Sequence, residues 1–572
     1  MFFIMVKKGL KLSGLAKEIL KARYLKKNKE SRVIETPDRM FRRVAKAVAA
    51  ADRNYSSKDI KRTEKTFLAM MENLDFLPNS PTLMNAGTRI GQLAACFVLP
   101  VEDSLESIYD TLKTTALIHQ SGGGTGFSFS KLRPRGDLVR STMSEASGPV
   151  SFMKEYDVAT QVIKQGGRRR GAMMGALRID HPDILEFIRA KDKEDAFTNF
   201  NLSVIVTDRF MDSAKKNKSY NLINPRTKKK AGTMNARKVF DAIVDSAWKT
   251  GDPGLIFIDE INRKNPTPKL GKIESTNPCG EQPLLPYESC NLGSINISNM
   301  IKNSKTDWDK LKTTVHDAVH FLDNVIDVSK YPVKKIEKVT KGNRKIGLGV
   351  MGFAEYLIRL RIQYNSEKAL QAAEKLMKFI HAEAIKASRQ LAKKRGVFPN
   401  YKKSIWRKKN TRIRNAALTT IAPTGTIALV AGTSHGIEPL FAVAYKRKIL
   451  NHKKFLIVNS LFEKTAKEKG FYSRKLIKKI TNLGSIQKIK EIPKEIRRLF
   501  VTTFDIQPEQ HVKMQAAFQK YVDNAVSKTV NLPNSATRKD IKKIYMLAHR
   551  LKCKGITIYR TGSKREQVVG MM

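Results

Sequence analysis

The sequence predicts an α/β fold, and three observations lead to that expectation. Residues 200–206 and 254–258 are short apolar runs, carried by Leu202, Val204, Ile205, Leu255, Ile256 and Phe257, of the kind that buried strands make. Helical stretches separate them, and residues 417–422 read as a further strand that passes through Pro423-Thr424-Gly425 into a helix start at Thr426. Alternation of this kind argues for helices packed on a sheet. The chain has 572 residues and is 41% hydrophobic, ordinary for a globular protein. Length alone suggests several domains, although barrels often exceed that expectation.

Taken in order, residues 1–75 read as a helical N-terminal region. Thr36-Pro37-Asp38 has the form of a helix start, and Met40, Val44, Ala45, Val48 and Ala49 recur at helical spacing. Residues 79–88, rich in Asn, Pro and Gly, read as a loop that offers the hydroxyls of Ser80 and Thr82. Residues 94–99 read as a buried strand, in which Cys96 on its own is a small core residue. Gly122-Gly123-Gly124-Thr125-Gly126 permits close backbone approach, but its spacing fits neither a Walker loop nor a dinucleotide fingerprint.

A helix is expected over residues 151–164. It carries Asp157 and runs into Gln165-Gly166-Gly167-Arg168-Arg169-Arg170, which by itself reads as a solvated charge run. Residues 347–352 match G-x-G-x-x-G and raise the possibility of a nicotinamide dehydrogenase. The polar, turn-like residues 341–345 supply no preceding strand, so these glycines are read as sites of close helix packing. Residues 445–499 read as helical and basic, and residues 555–560 as a last strand, with Cys553 placed inside it.

The chemistry concentrates in Ser275-Thr276-Asn277-Pro278-Cys279-Gly280-Glu281, followed by Cys290 in Glu288-Ser289-Cys290-Asn291-Leu292-Gly293-Ser294. In a finger-like segment Asn277, Cys279 and Glu281 project to one side. An amide there can orient hydroxyls, a carboxylate can take a proton, and a sulfur can do nucleophilic or one-electron chemistry. The junction at Pro423, Thr424, Gly425 and Thr426 places backbone N–H groups and two hydroxyls where a phosphate can bind.

Seven landmarks in one order give the chain a resemblance to ribonucleotide reductases, in particular the adenosylcobalamin-dependent class II enzymes. They are residues 79–87, 95–100, 122–127, 165–172, the Cys279 stretch, Ala422-Pro423-Thr424-Gly425-Thr426, and Lys554-Gly555-Ile556-Thr557-Ile558-Tyr559-Arg560. The resemblance implies a ten-stranded α/β barrel of two half-barrels over residues 76–560, with the Cys279 loop threading its interior and residues 561–572 as a short tail. It implies adenosylcobalamin as cofactor, a ribonucleotide as substrate, probable diphosphates in preference to triphosphates, and no protein-bound metal. Cys279 would carry the thiyl radical, Glu281 would take the 3′-hydroxyl proton and Asn277 would hold the substrate. Cys96 and Cys290 would become a disulfide. Ser80, Thr82 and residues 423–426 would contact substrate, while Asp157, Arg168, Arg169 and Arg170 would contact a deoxynucleotide effector.

Family members usually end in a tail with a cysteine pair, whereas this sequence has only Cys553 near its end, so either a thioredoxin-like protein or another dithiol reduces the pair directly, or a separate chain supplies the tail, or the protein is not fully active. There is no room before residue 75 for an added activity-control cone, and inhibition by dATP through one is not expected. A class I-like subunit needing a separate radical generator is the alternative within the family. The paired tyrosines of that class are represented here by Tyr559 alone.

The net charge of +54 suggests polyanion binding and keeps a non-catalytic nucleic-acid binder as a third reading. The lysines are spread along the chain with no zinc finger or RNA-recognition signature, so non-specific binding at low salt is expected. Four scattered cysteines without a Cys-x-x-Cys pair argue against a disulfide scaffold or a structural zinc. No run approaches the roughly 18 apolar residues of a membrane span, and residues 1–6 are too short for a signal peptide. A cytoplasmic enzyme, with a homodimer as one assembly, is the expectation.

Overall fold

The computed structural model describes residues 10–55, 59–163, 171–193, 195–449 and 453–563. Three helices open the chain: α1 (Gly14–Arg23), α2 (Pro37–Ala49) and α3 (Ile60–Glu72). Helix α2 starts as expected, with the Thr36 hydroxyl accepting from the Arg39 N–H and Pro37 in the first turn, where its missing N–H costs nothing. Met40, Val44, Ala45, Val48 and Ala49 are all buried on its inner face.

Ten strands form the sheet: β1 (Phe76–Pro78), β2 (Cys96–Pro100), β3 (Gly124–Ser128), β4 (Met173–Arg178), β5 (Phe200–Val206), β6 (Gly254–Phe257), β7 (Glu288–Asn296), β8 (Ile346–Met351), β9 (Thr529–Leu532) and β10 (Gly555–Arg560). Strands β2 through β6 run parallel in chain order. Strand β7 runs parallel to β8, and β9 to β10. The two sets meet antiparallel at both seams, β2 against β7 and β6 against β10. Residues 417–421 complete the second set, with Thr419 bridged to Leu348 on one side and Ile421 to Val526 on the other. These are two half-barrels closed on one another, the architecture the resemblance implied. Closure leaves few strand edges unpaired, and β1 covers the outer half of β7.

The N-terminal helices dock through a buried charge network. Asp323 receives Arg344, Arg395 and Arg414, and Asp52 receives Arg395, His320 and Asn324. Burial alone would raise the Asp323 carboxyl, but the three guanidiniums hold it down to about 2. Such a network fixes one arrangement of helices because removing any partner strands a buried charge.

Four expectations need correction. Residues 80–85 are a helix, α4 (Ser80–Asn85), because the Asn79 side-chain Oδ1 caps the Thr82 N–H and Pro81 suits the first turn. Residues 347–352 begin as strand β8, and their glycines admit other chain segments, not helices. A Cβ on Gly349 would lie 2.3 Å from the Thr420 carbonyl, and one on Gly347 2.4 Å from Leu292. Residues 445–499 open with a hairpin, Ala444–Ile449 against Lys453–Val458, before turning helical. Cys553 lies just before β10 and not inside it, whereas the helix expected to start at Thr426 is present over Ile427–Ala431.

Between Ser275–Thr276 and Pro283–Leu284, a short antiparallel ladder, the chain forms a finger directed into the barrel. Gly126 on β3 makes room for it, since a Cβ there would lie 1.7 Å from the Thr276 carbonyl oxygen. Gly126→Ala should therefore leave a folded barrel, destabilised by about 1–3 kcal/mol through overpacking. Urea denaturation checks the stability, and an unchanged midpoint with a wild-type active site would show that the finger is not wedged against β3.

Candidate active site

The finger tip is a tight turn held by its own backbone. The Asn277 N–H donates to the Gln282 carbonyl at 3.1 Å, the Gly280 N–H donates to the Asn277 carbonyl at 3.1 Å, and Gly280 takes φ +79°, which glycine adopts without strain. The barrel then supplies partners for what the finger buries. The Glu281 carbonyl accepts from the Ala525 N–H and from the Thr420 hydroxyl, both at 2.9 Å, and the Pro278 carbonyl accepts from Asn201 Nδ2 at 2.8 Å.

Asn277, Cys279 and Glu281 line one cavity of about 240 Å³ together with Cys96, Ser80 and residues 422–427. Asn277 Nδ2 donates to Cys96 Sγ at 3.0 Å, and the Cys96 thiol donates to Glu281 Oε1 at 3.9 Å. Cys290 faces Cys96 directly across the β2–β7 seam. Directly opposed residues of antiparallel strands have Cα atoms about 4.5–5.5 Å apart, within the range that a disulfide spans. Burial, with the nearby Glu281 carboxylate, pushes the Cys96 thiol well above its ordinary pKa, and burial with Glu288 does the same for Cys290. Cys279, by contrast, is exposed to the cavity. Among the described residues Glu281 is the only charged side chain on the lining.

The other expected site residues divide. Ser80 lines the cavity, its hydroxyl 2.8 Å from that of Tyr24. Thr82 does not. It is fully buried, and its hydroxyl donates to the Asn79 side chain and the Leu93 carbonyl, because helix α4 turns it into the packing. Pro423, Thr424, Gly425 and Thr426 all line the cavity. Thr424 Oγ1 accepts the Gly436 N–H at 2.7 Å, and Arg23 reaches Thr426 Oγ1 at 3.3 Å. Asp157 sits half-buried on α6 (Pro149–Val162), accepting the Asn199 N–H at 3.0 Å. Arg168, Arg169 and Arg170 lie outside the described residues.

Comparison with known families decides the family. Residues 10–91 match the ribonucleotide reductase all-alpha domain, and residues 94–559 match the ribonucleotide reductase barrel domain. The chain belongs to the ribonucleotide reductase family. Among its relatives is a vitamin B12-dependent ribonucleoside-diphosphate reductase of Thermoplasma acidophilum, 51% identical over 99% of this chain and 81% of the relative. A protein of the same description from Mycobacterium tuberculosis is 49% identical over 99% of this chain and 81% of that one. The fold of the Actinobacillus ureae class Id ribonucleotide reductase alpha subunit superposes with a TM-score of 0.80, covering 97% of this chain and 99% of that one at 24% identity.

The family sequence pattern did not point to Lys554 as a support of the finger. This buried side chain donates to the carbonyls of Asp523 and Asn524 at 2.5 and 2.6 Å, immediately before the Ala525 N–H that holds Glu281. Burial and the neighbouring Lys264 and Lys345, opposed by Asp523 and Glu260, bring its ammonium down to about 7 from 10.5. Between those values the unfolded chain binds the additional proton, so this group makes stability rise with pH from about 7 to about 10.5. The stability difference between wild type and Lys554→Met should accordingly change by about 1.4 kcal/mol per pH unit in that window. Denaturant titrations from pH 7 to 10 test this, and a pH-independent difference would refute it.

Proposed function

We propose that this chain is the catalytic chain of an adenosylcobalamin-dependent ribonucleotide reductase, an oxidoreductase that converts ribonucleoside diphosphates to 2′-deoxyribonucleotides for DNA synthesis. The observation that carries the reading is the convergence of Cys279, Asn277, Glu281 and Cys96 in one cavity, with Cys290 across the seam from Cys96. The names of the close relatives support diphosphate as the substrate series and vitamin B12 as the cofactor source.

The lining suits approach of such a cofactor to the exposed Cys279, because Gly122, Gly123, Gly124 and Ala172, which project almost nothing, share its cavity. Those small residues, with Pro278, would face the bound group, which supplies the initiating radical by homolysis of its cobalt–carbon bond.

The chain's own residues do the rest. Cys279, as a thiyl radical, takes the 3′-hydrogen of the ribose, and Glu281 accepts the 3′-hydroxyl proton while Asn277 orients the sugar. Cys96 gives its proton to the departing 2′-hydroxyl. The hydroxyl leaves as water, Cys96 and Cys290 together supply two electrons and end as a disulfide while the Cys290 proton goes to C2′, Glu281 returns its proton to the 3′ oxygen, and Cys279 returns the hydrogen to the 3′ carbon. Ser80 and the hydroxyls and backbone N–H groups of residues 423–426 bind the substrate, the latter at its phosphates. Water exclusion by the barrel wall protects the radical. In this reading residues 1–75 are a helical cap on a catalytic barrel of residues 76–560 that ends in a short tail. The three reduced cysteines suit a cytoplasmic setting, where a thioredoxin-like or other dithiol is available.

The effector and the dimer belong together. Asp157, with Arg168–Arg170, is proposed to hold a deoxynucleotide. On the same helix Val158 and Val162 are exposed, and so are Leu105 and Tyr109 on the neighbouring α5 (Leu105–Gln120). Each pair is one helical turn apart, so two adjacent helices present an apolar face that suits a second copy related by a two-fold axis. Wild type should sediment as a dimer and Val158→Asp as a monomer at micromolar concentration. A monomeric wild type with full effector response would rule the dimer out.

Anaerobic turnover with ribonucleoside diphosphates, a dithiol and deoxynucleotide effectors, with and without adenosylcobalamin, tests the main reading. Product should require the cofactor, and Cys279→Ser should reduce turnover to background while retaining the wild-type circular dichroism spectrum. Sustained multiple turnover by that variant would sink the assignment.

A further inference from the structure

The two sulfurs proposed to form the disulfide are not equivalent toward an incoming thiolate. In the barrel wall Cys96 on β2 stands in register with Cys290 on β7 on one side and with Gly124 on β3 on the other. Cys96 lines the cavity, as do Gly124 and the Pro278 ring that packs over it. Cys290 does not line the cavity and has no exposed surface. Strand β8 opposes Asn291 with Ile346, so Lys345 falls beside Cys290, with its carbonyl oxygen 3.6 Å from Cys290 Sγ. Lys345 is itself completely buried, and its ammonium is fixed on Glu288 at 2.7 Å. Glu288 further accepts the Leu285 N–H and Asn343 Nδ2, so this side of the row is closed by a bonded cluster.

Thiol–disulfide exchange requires the attacking sulfur to approach along the S–S axis, behind the sulfur it attacks. From the cavity that approach ends on Cys96, the one of the two sulfurs on its lining. From the other direction it is blocked by Lys345. We infer that an external dithiol reductant attacks the Cys96 sulfur, making Cys96 the mixed-disulfide residue and Cys290 the leaving thiolate.

The steps balance. One thiolate of the dithiol bonds to Cys96 Sγ, and the Cys96–Cys290 bond breaks with its electron pair on Cys290. The second thiol of the dithiol, as thiolate, then displaces Cys96. The dithiol is oxidised to its disulfide, both active-site cysteines are reduced, and the two protons released by the dithiol return them to thiols. This inference rests on the proposed Cys96–Cys290 disulfide, and its test separates the two.

The full chain carrying Cys279→Ser, which removes a third thiol from the cavity, is oxidised with diamide and digested without reduction. A Cys96–Cys290 cross-linked peptide is expected, and its absence would overturn the disulfide reading and this inference with it. The same oxidised protein is then exposed briefly to a thioredoxin that retains only its attacking cysteine, acid-quenched and alkylated. The thioredoxin adduct should map to Cys96 and the alkyl group to Cys290. With the cross-link present, an adduct mapping to Cys290 would overturn the inference alone. Single-thiol chains give an independent measure. With Cys279→Ser and Cys553→Ser in both, the Cys290→Ser chain, which keeps Cys96, should react with 5,5′-dithiobis(2-nitrobenzoate) at least about tenfold faster than the Cys96→Ser chain, since exchange follows access as well as thiolate character. Equal rates, or a faster Cys96→Ser chain, would contradict it.

Discussion

A polar loop inside a closed barrel is tenable only if every backbone group it buries finds a partner, and that requirement shapes the rest of the molecule. An unsatisfied buried amide or carbonyl costs roughly 1–3 kcal/mol, so a finger tip with several of them would be expelled or would drag in water. Here the partners come from four separate parts of the wall. Asn201 from β5 takes the Pro278 carbonyl, Thr420 and Ala525 take that of Glu281, and Gly126 supplies clearance for the Thr276 carbonyl. Because those groups are fixed by the sheet, the side chains of Asn277, Cys279 and Glu281 are fixed with them. The positioning of the chemistry is thus a by-product of satisfying the backbone.

The same logic extends outward. Residues 417–421 are both a wall segment of the second half-barrel and the source of Thr420, so barrel closure and finger anchoring are one event. Asp523 holds the Leu418 and Thr419 N–H groups, and His381 holds Asp523, which ties the wall to the long helix Glu367–Arg395. That helix ends at Arg395, which joins Asp52 to Asp323 and brings in the N-terminal helices. Those helices in turn touch the cavity, through Tyr24 on Ser80 and Arg23 on Thr426. The helical region is therefore part of the active-site wall as well as a cover for the barrel.

What the sequence made legible follows from which forces are local. Strands β5, β6 and β10 and helix α2 were readable because apolar runs and cap residues act over a few positions. The Cys279 stretch was readable because its reactive groups are neighbours in the chain. Helix α4 was misread because Asn and Pro favour a helix start as readily as a loop, and the hairpin at residues 444–458 because its basic residues mask the strand period. The glycines of β8 signalled close approach, but whether a helix or a strand approaches is decided by residues 420 and 292, far away in sequence. Lys345, Lys554, Thr420 and Asn201 left no local signal at all, since each acts only through a partner that the fold brings to it.

Burial of the two seam cysteines has a chemical consequence. A thiolate cannot deliver a proton, and a pair of thiolates set side by side would repel. By raising both thiols well above their ordinary range, the barrel keeps Cys96 and Cys290 protonated until the reaction calls for them. In the proposed reaction the proton for the departing hydroxyl and the electrons for the carbon reside in the same two side chains, and no solvent is needed to carry either. Glu281, the only charged group on the cavity wall among the described residues, disfavours a thiolate at Cys96, and in that proposal it is the group that accepts the substrate proton. The proposed proton donor and acceptor thus share a single cavity, the Cys96 thiol on Glu281 Oε1 and Asn277 on the donor sulfur.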